Sequence, residues 1–209
     1  NYELGAKSEF MQRRLSINVA LYQIDWKDVQ QAVADPGCGY VIVANVGEAQ
    51  SRGAELEILM RPIDNLTLSA CASYTDAEFT SIADAYQLAS AATTGDPLPG
   101  IPETKFNVDA QYGRELGDDR SWFVRADWTY LSSVPTGFTT QNTRPSYGTL
   151  GASAAYRFGR YELSLYGRNL TNEDGIVDIS EGATTSIEGV FLTQISTPPR
   201  TIGFNLAVD

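Results

Sequence analysis

The sequence contains no histidine and only two cysteines among its 209 residues. Without histidine the chain has no imidazole base, no Ser-His-Asp triad and no histidine ligand for a metal ion. The two cysteines, Cys38 and Cys71, form neither a CxxC motif nor a pair with zinc-binding spacing. We therefore expect no enzymatic activity, no cofactor and no metal site.

Long apolar stretches and an excess of positive charge are also missing. No segment reaches the roughly 18 consecutive apolar residues that a transmembrane helix needs. The chain carries 15 Lys and Arg against 26 Asp and Glu, a net charge of −11. This balance disfavours nucleic acid as a partner, because phosphate binding requires a basic surface. A transmembrane β-barrel is compatible with such a composition, since its strands alternate apolar and polar residues.

Alternation of apolar and polar residues with a period of two recurs along the chain. In one example, Leu66, Leu68 and Tyr74 fall in one phase, and Thr67 and Ser69 fall in the other. Such a pattern is typical of a β-strand with one apolar and one polar face. The nine predicted strands start near residues 1, 16, 41, 66, 105, 122, 149, 161 and 201.

The connections between these segments alternate in length. The sequence predicts short turns at residues 12–14, 62–65, 114–120 and 159–160, and long loops at residues 30–40, 76–103, 132–146 and 171–199. Barrels of the bacterial outer membrane have short periplasmic turns at one end and long extracellular loops at the other. Aromatic residues such as Trp128 and Tyr130 also gather near strand ends, and Trp and Tyr prefer the headgroup level of a membrane.

Charged residues on the polar phase favour a membrane barrel over a soluble β-sandwich. A large polar interior solvates such charges, whereas the dry core of a sandwich does not. The predicted fold is therefore an all-β, antiparallel transmembrane β-barrel, of which about nine strands are present. Because single-chain bacterial barrels have even strand numbers and lipid tolerates no open sheet edge, we expect further strands N-terminal to Asn1. The charges on this phase include Glu3, Lys7, Glu9, Glu55, Glu57, Lys105, Asp109, Arg125, Asp127, Arg157, Glu162 and Arg168.

Six stretches resemble, in the same order, segments of TonB-dependent outer-membrane receptors. The matches span nearly the whole chain. The resemblance implies that residues 1–209 are one unit, the C-terminal portion of a 22-stranded receptor barrel whose plug domain is absent from this sequence. The six stretches are Asn1 to Lys7 (NYELGAK), Ala20 to Trp26 (ALYQIDW), Asn45 to Glu57 with its RGAELE ending, Leu98 to Pro102 (LPGIP) with Asn107, Gly167 to Asn172 (GRNLTN) and Pro199 to Phe204 (PRTIGF).

The resemblance also implies a location and a function. It places the chain in the bacterial outer membrane and implies TonB-coupled uptake of a scarce small-molecule substrate, such as a ferric siderophore, cobalamin or a glycan. The implied partners are outer-membrane lipid, that substrate, and the TonB complex, which would be reached through the missing N-terminal region. The alternative is a passive porin, or an adhesin-like barrel, without a plug. The sequence upstream of Asn1 would distinguish the two.

Four charged residues of the polar phase are candidate plug contacts: Glu55, Glu57, Arg125 and Arg168. Glu55 and Glu57 are two positions apart on one strand, so both point to the same face. By resemblance they pair with plug arginines, and the alternative is that they are solvated lumen charges. A glycosidase-like pair is disfavoured, because neighbours on one strand do not face each other across a cleft. The sequence identifies no substrate-binding residue.

Several geometric expectations follow from this interpretation. The strand segments should contain no helix longer than about two turns, and any helix should lie in the long loops. The first strand, residues 2–10, should not pair with the last, residues 201–208, because with nine strands that pairing would be parallel. The sequence leaves undecided whether Cys38 and Cys71 form a disulfide. The cell surface permits one, but the two residues are predicted at different heights along the barrel. The convex, lipid-facing side should carry Leu56, Leu68, Val108, Trp128, Leu163 and Phe204, and the concave side should carry Glu55, Asp109, Arg125 and Glu162.

Overall fold

Antiparallel β-strands make up almost all of the computed structural model, which describes residues 1–34, 40–84, 92–136, 143–183 and 190–208. Among these residues no helix is long and apolar enough to cross a membrane. The strands are β1 (Tyr2–Phe10), β2 (Leu15–Ala34), β3 (Val41–Ile63), β4 (Leu66–Ile82), β5 (Thr104–Gly117), β6 (Arg120–Leu131), β7 (Val134–Pro135), β8 (Thr143–Arg144), β9 (Tyr147–Phe158), β10 (Tyr161–Arg168), β11 (Ile176–Ala183), β12 (Val190–Ser196) and β13 (Thr201–Val208).

Nine of the strands form one sheet in the order β1-β2-β3-β4-β5-β6-β9-β10-β13. Every neighbouring pair in it is antiparallel. Two small hairpins, β7–β8 and β11–β12, lie in the connections that precede β9 and β13. Within the described residues β1 and β13 are the two edges and are not paired with each other, as expected from the odd strand number.

Three strands run further than the alternation of residues predicts. β2 continues to Ala34 and β4 to Ile82, into segments that we expected to be loop, and β5 continues to Gly117. The cause is a set of β-bulges. The β2–β3 register shifts between Trp26 and Val29, the β3–β4 register shifts at the Glu48/Ala49 step, and the β5–β6 register shifts near the turn. A bulge inserts a residue and so interrupts the period-two pattern while pairing continues.

Two predicted loops, residues 132–146 and 171–199, are also not plain loops, because they contain the β7–β8 and β11–β12 hairpins. These hairpins pair locally and are short, so the alternation gave no signal for them. Arg144 of β8 is buried and donates a hydrogen bond from Nη1 to the Val177 carbonyl of β11 at 3.2 Å. The side chain therefore links the two hairpins at the end of the sheet that carries the long connections.

The connections of the main sheet alternate in length as predicted. At one end the turns are residues 11–14, 64–65, 118–119 and 159–160, so the turn expected at 114–120 is only two residues long. Asp118 and Asp119 both have positive φ, at 51° and 52°. Positive φ at both central residues is the feature of a type I′ turn, which matches the twist of paired strands. This end of the sheet is called the short-turn end below.

The two faces of the sheet differ in polarity. Residues that lie opposite each other on neighbouring strands point to the same face of the sheet. One row of such residues, across β3 to β6, is Ile58, Ala70, Val108 and Trp128. The adjacent row, which points to the opposite face, is Glu57, Cys71, Asn107 and Thr129. We call these the apolar face and the polar face. All six residues expected to face lipid lie on the apolar face, and Glu55, Asp109, Arg125 and Glu162 all lie on the polar face.

Aromatic side chains border the apolar face at both ends. Towards the long connections, the ring centroid of Phe106 lies 4.9 Å from that of Trp128 and 5.0 Å from that of Tyr130. Near the short turns, Tyr112 contacts Trp122 at 5.5 Å. Trp122 and Tyr130 are eight residues apart on β6, about 27 Å along the strand. With a tilt of about 40°, that length spans about 21 Å along the membrane normal, slightly less than the apolar band of an outer-membrane barrel, which is about 25 Å tall.

The buried apolar core lies at the end of the sheet that carries the long connections. It is centred on Phe79, which is 0% exposed. Residues 92–100 cover this core by pairing beside β4: the Phe79 amide donates to the Asp96 carbonyl at 3.0 Å, and the Leu98 amide donates to the Ala77 carbonyl at 2.8 Å. The buried residues are Val29, Val46, Ala49, Ala77, Phe79, Ala92 and Leu98, with Ile82 packed against them.

Candidate functional site

The four candidate site residues lie on the polar face, but not in one place. Glu55 and Glu57 are on β3, Arg125 is on β6 and Arg168 is on β10. Strands β4 and β5 separate the two glutamates from Arg125, a distance of about 14 Å at the usual strand spacing. The polar face therefore has an acidic region over β1–β3 and a mixed region over β5–β10.

The acidic region is an open depression. It is lined by three carboxylates, Glu3, Glu55 and Glu57, together with Lys7 and Asn18. Asn18 donates a hydrogen bond from Nδ2 to Glu57 Oε2 at 3.1 Å. Within the described part of the chain, neither Glu55 nor Glu57 forms an ion pair. Both side chains are exposed and can accept further hydrogen bonds from a cationic partner.

Arg125 is already engaged within the sheet. Its Nε donates to Asp109 Oδ2 at 2.5 Å, and the Asp109 side chain is only 14% exposed. Asp109 lies directly opposite Asp127 in the β5–β6 register. Like charges directly opposite on paired strands are destabilising, so Arg125 offsets this repulsion. Its role inside the barrel wall was not foreseen from the sequence, and a contact with a plug stays a prediction.

Arg168 has a different environment. Its guanidinium lies over the ring of Tyr166, 5.5 Å from the centroid. Among the described residues it forms no ion pair. Asp127 lies above Gly151, with carboxylate oxygens 2.9 Å from where a Cβ would sit, and lines the same depression as Arg168. Arg168 and Asp127 thus present both charge signs to the space above the polar face.

Tyrosine side chains lie over glycines on the same face. Tyr22 crosses Gly53 and its hydroxyl is 2.9 Å from Thr75 Oγ1 on the next strand. Tyr166 covers Gly203 of the edge strand in the same way, and a Cβ at either glycine would collide with the ring. Each ring therefore ties strands together across a position that must be glycine. We did not predict these contacts, because glycine opposite tyrosine is recognisable only once the register is known.

Asn169 organises the base of the connection between β10 and β13. Its side chain is 8% exposed, and Nδ2 donates to the carbonyls of Glu173 and Pro198, both at 2.8 Å. Asn169 Oδ1 accepts from the Glu173 amide at 2.9 Å. Nearby, Asn172 Oδ1 accepts from the Arg200 amide at 3.1 Å. The GRNLTN segment therefore closes a loop of about thirty residues onto the rim of the sheet.

The apolar face becomes polar beyond the aromatic border at the end with long connections. Asp25, on β2, accepts hydrogen bonds from Gln50 Nε2 at 2.6 Å and from Gln23 Nε2 at 3.1 Å. These two hydrogen bonds, Gln50 first, hold the pKa of the Asp25 carboxyl below its usual value. Arg52 pairs with Glu78 at 3.6 Å on the same face. Polar groups there indicate an aqueous environment beyond the aromatic border.

Cys71 lies on the polar face, in the row of Glu57, and is exposed. Cys38 falls outside the described residues, so the possible disulfide between them stays an open prediction.

A family model and solved structures show similarity across the chain. The model for "TonB dependent receptor-like, beta-barrel" matches residues 1–170. The ferric yersiniabactin uptake receptor of Yersinia pestis superposes with a TM-score of 0.79 at 18% identity, over 99% of this chain and 29% of its own. For a siderophore receptor of Acinetobacter baumannii the TM-score is 0.72 at 20% identity, over 99% and 27%. For a copper transporter it is 0.68 at 19%, over 99% and 30%.

The chain thus spans less than a third of the length of these three proteins. Their similarity extends through β13, beyond the part matched by the family model. The nine-stranded sheet is a portion of such a barrel, as predicted from the sequence. The polar face corresponds to the barrel interior, because outer-membrane barrels are polar inside and apolar outside. The chain belongs to the TonB-dependent receptor family, in its β-barrel domain, and its location is the bacterial outer membrane.

Proposed function

We propose that the protein imports a scarce small-molecule substrate across the outer membrane in a TonB-coupled manner. The observation that carries the proposal is the polar face of a receptor-family barrel, where Glu55, Glu57 and Arg168 form no ion pair within the part of the chain that the structure describes. An interior lined only by such charges would be a water-filled pore. Coupled uptake requires a plug to fill it, and these charges supply the contacts that a plug needs.

The substrate class that we propose is a metal chelate, with a ferric siderophore as the first candidate. Of the three similar structures, one is named as a ferric yersiniabactin uptake receptor, one as a siderophore receptor and one as a copper transporter. A metal ion or its chelate is common to these names. Cobalamin and a glycan are the other candidates. The TonB complex would be contacted by a region outside residues 1–209.

Outer-membrane lipid is the proposed environment of the apolar face. Large apolar side chains are exposed across it, from Leu4 on β1 to Phe204 on β13, and such an extended apolar surface marks an interaction site. Aromatic borders at both ends match the headgroup levels of a bilayer. The band between them, about 21 Å along the membrane normal, is close to the apolar band of about 25 Å that outer-membrane barrels present to lipid.

Uptake with and without TonB tests the function. The protein would be expressed at full length in a bacterial host that lacks its own siderophore receptors, beside the same host without TonB. We expect uptake of at least one ⁵⁵Fe-loaded siderophore from a chemically diverse panel, saturable with concentration and lost without TonB. Equal, non-saturating uptake in both hosts would establish the passive porin alternative.

The two glutamates of the acidic region are proposed plug contacts. A plug arginine can donate charge-assisted hydrogen bonds to both, because they point to the same face two residues apart. Replacing them together, Glu55→Gln and Glu57→Gln, keeps their shape and removes their charge. Loss of about 1.5 kcal/mol, typical of one charge-assisted hydrogen bond, should speed hydrogen exchange in the plug about tenfold. Mass spectrometry of the full-length protein would measure this exchange.

A matched control uses glutamates of the polar face that already have partners in this chain. Glu9 pairs with Arg13 at 3.0 Å and Glu162 pairs with Arg157 at 2.8 Å. The variant Glu9→Gln with Glu162→Gln removes the same charge from the same face, and plug exchange should stay unchanged. Equal acceleration in both double variants would show that net charge, not contact by Glu55 and Glu57, holds the plug.

A further inference from the structure

A group of arginine side chains interrupts the apolar face where it approaches the short turns. Arg114 lies directly opposite Trp122, and Arg120 lies directly opposite Phe158. Both are therefore in the phase of the apolar face, one step beyond its aromatic border. Arg114 is exposed and forms no ion pair with any described residue. An arginine in this position reaches the headgroup level while its stem covers apolar surface.

A third arginine joins them from the adjacent turn. The Gly159 amide donates to the Asp119 carbonyl at 3.0 Å, which holds the turn at 159–160 against the turn at 118–119. The guanidinium of Arg160 lies 5.3 Å from the ring centroid of Tyr161, and Nη2 donates to the Tyr161 hydroxyl at 3.2 Å. Because Tyr161 pairs with Phe158 on the apolar face, Arg160 is held on that face too.

Arg114 and Arg120 are close enough to act on one ligand, and Arg160 lies in the turn beside Arg120. Arg114 and Arg120 are diagonal neighbours across β5–β6, at about 7–8 Å between backbones. Arg120 also contacts Asp118 at 3.0 Å, but the Asp118 side chain is 89% exposed. An ion pair so exposed contributes little and is readily exchanged. The guanidinium groups therefore remain available to an external anion.

The opposite end of the apolar face has the opposite charge. Beyond its aromatic border lie Asp25, Asp76 and Glu78, with Arg52 as the cation among them. A general need for charge at a membrane border would not produce this difference between the two ends. The arginines instead indicate an anionic partner at the short-turn end, which is the periplasmic end of an outer-membrane barrel.

We propose that Arg114, Arg120 and Arg160 form a binding site for the phosphate of an anionic glycerophospholipid in the periplasmic leaflet. Planar guanidinium groups bind phosphate oxygens in a bidentate manner. Trp122, Phe158 and Tyr161 lie beside the arginines and are suited to the glycerol and ester region. Acyl chains would continue over Val124 and Leu165. The proposal rests on the lipid contact proposed above for the apolar face.

Spin-labelled lipids test the site in the full-length protein. The protein would be reconstituted in phosphatidylcholine vesicles that contain trace spin-labelled phosphatidylglycerol or, separately, spin-labelled phosphatidylcholine. Electron paramagnetic resonance then gives the amount of motionally restricted lipid and the preference between the two headgroups. We expect the wild type to prefer phosphatidylglycerol. The variant Arg114→Gln with Arg160→Gln removes two arginines worth about 1 kcal/mol each, so the preference for phosphatidylglycerol should fall close to one.

The matched control removes two arginines from the same end but from the other face. Arg13 and Arg157 contact Glu9 and Glu162 of the polar face. The variant Arg13→Gln with Arg157→Gln should keep the wild-type preference. Equal losses in the two variants would overturn the site, because they would trace the preference to net charge alone.

The wild type alone supplies a second test should the site variant not fold. Raising NaCl from about 0.05 M to about 0.5 M shortens the screening length severalfold, so the preference for phosphatidylglycerol should fall towards one. A wild type without preference at low salt would refute the site, although restricted lipid would still be seen. Absence of any restricted lipid would instead contradict the lipid contact itself, which separates the two failures.

Discussion

Replacing Leu165 by arginine should destabilise the folded barrel by about 2–4 kcal/mol, the cost of a cation at the midplane on the lipid face. Leu165 lies on the apolar face of β10 and is 56% exposed, so lipid would be its main contact. It is four residues beyond Tyr161, about 13 Å along the strand. With a tilt of about 40°, this places it about 10 Å from the aromatic border, near the middle of the band.

Two further variants on the same strand show how the cost of an introduced arginine depends on its depth in the membrane and on the face of the sheet. Leu163 lies only two residues beyond Tyr161 and one row from the border, so Leu163→Arg should cost about 1 kcal/mol. Ser164 lies between them and points to the polar face. Ser164→Arg should therefore cost less than Leu165→Arg, because water solvates its guanidinium. The ranking of the three losses in unfolding free energy is more diagnostic than any single value.

Urea titration of the full-length protein with phospholipid vesicles would measure these free energies of unfolding. Equal costs for Leu165→Arg and Ser164→Arg would mean that both faces of β10 meet the same environment. That result would contradict the assignment of the apolar face to lipid. It would leave the antiparallel sheet itself unaffected.

The nine-stranded order and the two faces were predictable because they depend on a local rule. A period of two fixes which residues share a face, and short turns make each strand pair with the next. Leu56 and Glu55 were therefore placed on opposite faces without knowledge of the register. The bulges near Trp26 and Phe79 were not predictable in this way, because an extra residue breaks the period and the strand then resembles a loop.

The candidate site was predictable only as a set of residues on one face. The pairing of Arg125 with Asp109 is diagonal, since Asp109 opposes Asp127 and Arg125 opposes Gln111. It depends on the register, which follows from the two-residue turn at 118–119 and the adjacent bulge. The sequence suggested a longer turn there. The buried packing around Phe79 was missed for a related reason, since it joins residues from four segments, β2, β3, β4 and residues 92–100.

The GRNLTN segment was recognised by resemblance, and the structure supplies its physical basis. Asparagine at position 169 is needed because one side chain must donate to two carbonyls and accept from one amide. Only an amide group combines two donors and an acceptor in this geometry. Such a requirement is invisible to periodicity, and the contacts to residues 173 and 198 reach 4 and 29 positions along the chain.

Replacing Asn169 by aspartate should open the connection between β10 and β13. The substitution keeps the acceptor for the Glu173 amide but removes both donors and places a carboxylate against two carbonyl oxygens. The Pro198 carbonyl would lose the donor from Asn169, and the Glu173 carbonyl would keep only the one from Thr197 Oγ1. Together with a poorly solvated charge beside both carbonyls, these losses should cost about 3 kcal/mol or more locally. Protease cleavage within residues 171–199 of the full-length protein should then accelerate about a hundredfold, because it tracks the population of the open form.

The effect of Asn169→Asp should depend on pH in one direction. Burial and the two carbonyls favour the protonated acid, so the pKa of the introduced carboxyl is raised in the closed form above its value in the open form, about 3.9. The penalty is therefore complete above the raised pKa and is lost as the pH falls towards 4 and below. Relative to wild type, cleavage of the variant should slow as the pH is lowered.

The control is the same substitution three positions further along. Asn172 uses only its Oδ1, which accepts from the Arg200 amide, and its side chain is exposed. Asn172→Asp retains that acceptor, so the cleavage rate within residues 171–199 should remain close to that of wild type. If Asn169→Asp and Asn172→Asp behaved alike, the two donated hydrogen bonds would not be what closes the loop. The resemblance of GRNLTN to its family segment would then need another physical explanation.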